Sequence, residues 1–167
     1  MSRIGGARAH RNGAAFEALI EQVCKQYERA GVAYICKTPE PMKPLQPFGP
    51  NGKFIACYTK AAQPDFKGTL KGGRAVCFEA KHAADTRIEQ KRVTKEQAEA
   101  FDKHAALGAV CFVLVSFKLE RFYRVPWRIW RSMPEHFGKV SANTKDLKPF
   151  EVDILHFLDG LEEVQEA

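Results

Sequence analysis

The 167-residue chain has little that would place it in a membrane or an oxidising compartment. Its longest uninterrupted apolar run, Ala109 to Val115, is seven residues, whereas a spanning helix needs about 20. No apolar run follows Arg3, Arg8 and Arg11, so the basic start does not read as a signal peptide. Five cysteines stand singly at 24, 36, 57, 77 and 111; without a CxxC pair they read as reduced core thiols of a cytoplasmic protein, not zinc ligands or a redox motif. The histidines at 10, 82, 104, 136 and 156 lack metal-ligand spacing. There is no internal repeat. Acidic charge is scarce over most of the chain: the last seventeen residues hold six acids and no Lys or Arg, so residues 1–150 carry +12 of an overall +6. That excess points to a polyanionic partner, nucleic acid first, because each cation that meets a phosphate releases a condensed counterion.

What is present is one globular domain's worth of apolar residues, 45% of the chain. Periodicity predicts a helix from Gly13 to about Ala30, capped by Asn12, with Phe16, Leu19, Ile20, Val23 and Tyr27 as its apolar stripe. Residues 1–12 read as a basic, flexible arm, 13–150 as the folded domain and 151–167 as an acidic tail. Val32 to Cys36 is strand-like. Pro39, Pro41, Pro44, Pro47 and Pro50 then exclude a helix or a central strand, so residues of about 38–62 read as an extended projection with Phe54 to Tyr58 as its returning arm. A second helix is expected from Lys95 to Leu107, with Thr94 and Gln97 as a capping box and Gly108 as the stop. Ala109 to Phe117 reads as a strand buried on both faces. The order implies an α/β or α+β fold.

The chemistry concentrates in residues 64–81, PDFKGTLKGGRAVCFEAK. A hairpin centred on Gly72 pairs residues whose numbers sum to 144, so Asp65 faces Glu79 and Phe66 faces Phe78. Asp65, Lys67, Thr69, Cys77, Glu79 and Lys81 fall on one face, expected to be largely polar, while Phe66, Leu70, Val76 and Phe78 fall on the core face. Opposed carboxylates repel unless a cation lies between them. A hard divalent ion with oxygen ligands, Mg²⁺, answers that need and supports phosphodiester hydrolysis. Lys81, on the same face, is placed to orient water or neutralise charge on phosphorus. Alternatively the face is a solvated one with a Glu–Lys pair.

Pro64, Asp65, Glu79, Ala80 and Lys81 are similar to the PD-(D/E)xK nuclease motif. Over roughly residues 12–126 the chain also resembles the RecU-type Holliday junction resolvases, in the ordered blocks GAAFEALIE, CKTPEP, CFEAKH, EQAEAF and GAVCFVLVSF. The resemblance implies a restriction-endonuclease-like α/β core, with a mixed central sheet flanked by helices and a projecting proline-rich stalk. It implies a Mg²⁺-dependent enzyme, with Mn²⁺ able to substitute, that cuts branched DNA as a homodimer during recombination and repair, with a strand-exchange recombinase as a further partner. By that resemblance Asp65 and Glu79 are catalytic acids and metal ligands, Gln97 joins the metal shell, Lys81 stabilises the transition state and Glu17 is an acidic site residue of the first helix. Where family members carry a threonine pair before the aspartate, this chain has Gln63 and Pro64, which makes Gln63 a candidate ligand through its amide oxygen. Another nuclease of the same motif, or a non-catalytic branched-DNA-binding protein, are the competing readings.

Candidate DNA contacts are Arg3, Arg8 and Arg11 in the arm, Lys37, Lys43, Lys53 and Lys60 around the stalk, and Lys67, Lys71 and Arg74 on the hairpin. RFYRVPWRIWR, residues 121–131, interleaves four arginines with aromatics; it reads either as a DNA-contacting stripe or as a short helix opened by Pro126 whose tryptophans cover the sheet.

Overall fold

The computed structural model describes residues 3–39, 42–58 and 63–161. Its centre is a six-stranded mixed sheet in the order β1-β4-β5-β7-β8-β10, built from β1 (Ala33–Lys37), β4 (Phe66–Leu70), β5 (Ala75–Ala83), β7 (Val110–Phe117), β8 (Arg121–Pro126) and β10 (Glu151–Val152). Among the described residues only the β5–β7 pairing is parallel. Helix α1 (Arg3–Arg29) covers one face, and α2 (Lys95–Ala106) with the short α3 (Trp127–Arg131) covers the other. β2 (Met42–Pro47) and β3 (Phe54–Tyr58) form a separate antiparallel ribbon. β6 (Arg87–Glu89) and β9 (Ser141–Asn143) make a third small sheet, and α4 (Met133–Phe137) lies between α3 and β9 in sequence. This is the expected α/β class, and no described helix is long and apolar enough to cross a membrane.

The hairpin register is as the sequence implies: Phe66 pairs with Phe78, Lys67 with Cys77 and Thr69 with Ala75. Gly72 and Gly73 turn the chain at φ of 91° and 92°, a region closed to most side chains. Phe66, Phe78 and Phe112 then stack across three neighbouring strands at 4.9 and 4.7 Å, with Phe157 edge-on to Phe78. Such cross-strand aromatic pairs hold the register that places Asp65 opposite Glu79.

Three expectations need correction. α1 starts at Arg3, not Gly13, and Asn12 lies inside it; the Ala- and Arg-containing stretch before Gly13 prolongs the helix, so the segment read as an arm is helical from Arg3 onward. The second face of the hairpin is not solvated, since Cys77 and Glu79 are 2% and 0% exposed. Phe101, Trp127 and Trp130 close over that side, which settles RFYRVPWRIWR as a core-covering element. The segment read as an acidic tail is part of the body up to residue 161: Glu151 and Val152 pair with β8, and Phe157 and Leu158 are buried. Tyr27 donates to Asp159 Oδ1 (3.0 Å), and Arg124 donates to the Phe157 and Asp159 carbonyls (2.8 Å each). The apolar pair drives this docking while Asp153 and Asp159 remain exposed. The proline-rich projection is as expected: Pro44 and Pro47 lie in β2 of the two-stranded ribbon, outside the central sheet, with β3 as its returning arm; β2 is irregular between Pro44 and Gln46, and an absent N–H donor is tolerated there.

Candidate active site

β4 pairs with β5 only as far as Phe66 and Phe78, whereas β5 continues to Ala83 paired with β7 alone. From Glu79 to Ala83 one edge of β5 is therefore open, and a cleft of about 580 Å³ forms in that notch. Glu17, Asp65, Glu79, Lys81 and Gln97 line it, together with His82, Asp85, Arg87 and Arg92.

The carboxylates are tied to the notch by main-chain donors. The Ala80 N–H donates to Asp65 Oδ2 (3.0 Å), and the Asp65 N–H donates to Glu79 Oε2 (3.2 Å). Thr38 fixes the approach, its N–H donating to the Asp65 carbonyl and its hydroxyl to the Pro64 carbonyl, both at 2.7 Å. Lys81 Nζ lies 2.7 Å from Glu79 Oε1. Burial pushes Glu79 up from its ordinary 4.5 to about 7; Lys81 opposes the rise and the Asp65 charge adds to it. Asp65 is also raised, first by burial, against the pull of Lys81 and the Ala80 N–H.

Gln97 closes the capping box and also reaches Glu79. Its Oε1 accepts from the Thr94 N–H (3.0 Å), and its backbone N–H donates to Thr94 Oγ1 (3.2 Å), completing the capping box. Its Nε2 donates to Glu79 Oε1. The cap takes the amide oxygen, the atom through which Gln97 is expected to join the metal shell, and the nitrogen goes to the carboxylate. Glu17 also reaches the cleft, paired with Lys37 Nζ at 2.7 Å. Gln63 does not line the cleft; it is exposed and accepts from Lys67 Nζ at 2.5 Å.

Among the described residues no group of three or more His, Cys, Asp and Glu side chains is arranged around a common point for a metal. Asp65 and Glu79 nonetheless form an all-oxygen donor pair at the open edge. Ala80, whose N–H faces that edge, also has its carbonyl there, since a strand residue's N–H and C=O project to the same side. This donor set suits a hard ion that keeps several waters, such as Mg²⁺ or Mn²⁺.

Of the expected DNA contacts, Arg11, Lys37, Lys43, Lys53 and Lys71 are exposed and Lys67 is half-buried. Arg74 is turned inward, its Nε donating to the Gly108 carbonyl (3.0 Å) and its Nη1 buried. Lys60 and the side chains of Arg3 and Arg8 lie outside the described residues. Sequence reasoning missed Arg87, Arg92 and the role of His82. His82 is 9% exposed, with Nδ1 3.3 Å from Ser116 Oγ and Nε2 buried without a partner; burial and the nearby Arg92 lower its pKa. The polar stretch between Lys81 and α2 signals only a loop, and nothing in its spacing shows that it folds back on β5.

A search among curated proteins finds no match. Among solved structures, the fold is similar to that of Hjc from Archaeoglobus fulgidus, a Holliday junction resolvase from an archaeal hyperthermophile, with a TM-score of 0.52 and 14% identity, covering 86% of this chain and 97% of that one. The family model described as RecU, Recombination protein U, matches residues 11–157. That span takes in the notch, both β5 neighbours and the helices on either face, and the chain accordingly belongs to the RecU family of Holliday junction resolvases.

Proposed function

We propose that this protein is a Mg²⁺-dependent endonuclease that resolves four-way DNA junctions by paired symmetric nicks. The observation that carries this reading is the placement of Asp65, Glu79 and Lys81 together at the open edge of β5, in a cleft of a chain whose residues 1–150 carry +12. Asp65, Glu79 and the Ala80 carbonyl would hold the metal, which supplies a water acidic enough to attack phosphorus and charge to stabilise the leaving oxygen. Lys81 presents a cation to the transition state, and its grip on Glu79 keeps the ammonium aimed along the cleft. Gln97 donates to the same Glu79 oxygen as Lys81 and ties α2 to the site. The Lys37–Glu17 pair stands at the rim and sets the local charge facing Asp65.

Two cuts related by symmetry require two such sites, hence a homodimer with two-fold symmetry. The β2–β3 ribbon supports selection of junctions over duplex. It carries exposed Lys43 and Lys53 for phosphates, and Met42, Leu45, Phe48 and Phe54, each more than half exposed, for apolar contact with base-pair faces open at a branch point.

The test incubates the purified protein with a labelled four-way junction and a linear duplex of the same sequence, with Mg²⁺ and with chelator. Paired symmetric nicks in the junction alone, abolished by chelator, are expected. Equal cutting of duplex refutes junction selectivity, and binding of the junction without any cleavage refutes the catalytic reading.

A further inference from the structure

Two groups dock on the open edge of β5. The Asp65 carboxylate bonds the Ala80 N–H at 3.0 Å, and the Arg92 guanidinium donates to the His82 carbonyl at 3.1 Å. Two strand residues separate the anchor points, about 7 Å at the rise of an extended chain. That distance is of the order of the spacing between successive phosphates along a nucleic-acid strand.

The local charges leave Arg92 free for such a ligand. Arg92 and Arg87 are both exposed and both line the cleft. Glu89, whose carboxylate feels both arginines, is paired with Lys91 at 2.8 Å. Asp85, on the same rim, accepts from the Thr86 N–H at 2.7 Å. A guanidinium has five N–H donors, so a bond to one carbonyl fixes its plane while the others stay available for a bidentate contact with an anion. Lys81 differs: its point charge is engaged by Glu79.

We propose that Arg92, held by the His82 carbonyl, and Arg87 bind the phosphate next to the scissile one on the strand being cut. This pair thereby sets which phosphodiester enters the Asp65–Glu79 site. The inference rests on the nuclease reading above and adds to it a register-setting contact that no base readout is needed to supply.

The test uses junctions carrying a single neutral methylphosphonate at each phosphate flanking the cut, with single-turnover cleavage measured against protein concentration and salt. For the wild-type chain, one flanking substitution is expected to raise the half-saturating concentration about tenfold. Arg92→Ala is expected to raise it about tenfold on the ordinary junction, to lose sensitivity to that one methylphosphonate, and to lower the salt slope by about one. Arg92→Lys should recover only part of the affinity, because the fork is gone while the charge remains. Arg87→Ala, at an exposed position, repeats the measurement without touching the His82 anchor. An Arg92→Ala variant that melts like the wild type yet keeps its full methylphosphonate sensitivity and salt slope overturns the proposal while leaving the nuclease reading intact. A wild-type protein that cuts no junction refutes both.

Discussion

Glu79 is a fully buried carboxyl whose proton is held to about pH 7 in the metal-free fold, against an ordinary 4.5. A group whose folded pKa is raised stabilises the fold fully below its unfolded pKa and loses that contribution as pH climbs through the folded value. At about 1.4 kcal/mol per pH unit, the gap corresponds to about 3 kcal/mol between roughly pH 4 and pH 8. Glu79→Gln has no proton to release there and lacks this loss. Denaturation of both proteins in chelator across that range should therefore show wild-type stability falling relative to the variant by about 3 kcal/mol, or about 6–12 °C in Tm for a chain of this size. Mg²⁺ at pH 8 should restore the wild type by about 2.7 kcal/mol at a hundredfold excess over its Kd and leave the variant unmoved. A stability difference that does not change with pH, or that changes in the opposite direction, would refute the claim that burial governs this carboxyl.

Three further outcomes are expected. Lys81→Ala should lower the single-turnover cleavage rate by about 10²–10³-fold, with junction affinity changed far less, as read by cleavage and binding on one substrate. Replacing residues 42–58 with a short flexible linker should reduce the preference for junction over duplex without shifting the melting of the body; equal losses on both substrates would contradict the role given to the ribbon. Gly68→Ala should destabilise severely, by about 3 kcal/mol or more in urea titration, because the added carbon would lie 2.0 Å from the Tyr34 carbonyl oxygen and 2.7 Å from Ile35 Cα on the neighbouring strand.

Local chemistry is what the sequence by itself determined. The two glycines of the turn and the alternation around them dictate the pairing of Phe66 with Phe78, and with it the meeting of Asp65 and Glu79, because register in a hairpin is set by its turn and by period-two burial. Thr94 and Gln97 announce the start of α2 in the same local way, and the spaced prolines mark out the ribbon. What depends on residues far apart in the chain was decided only by the tertiary structure. The notch exists because β4 stops where β5 runs on, so the site owes its access to strand lengths in different parts of the sheet. Gln97 satisfies both its cap and Glu79 because α2 packs with its first turn over β5, and Arg92 meets the His82 carbonyl because the intervening chain folds back. The apparently acidic end became part of the core since Phe157 finds the stacked rings of Phe78 and Phe112, a partnership made from three distant segments. Short-range patterns specify elements and their faces, while the assembly of those faces positions the charges that act on a substrate.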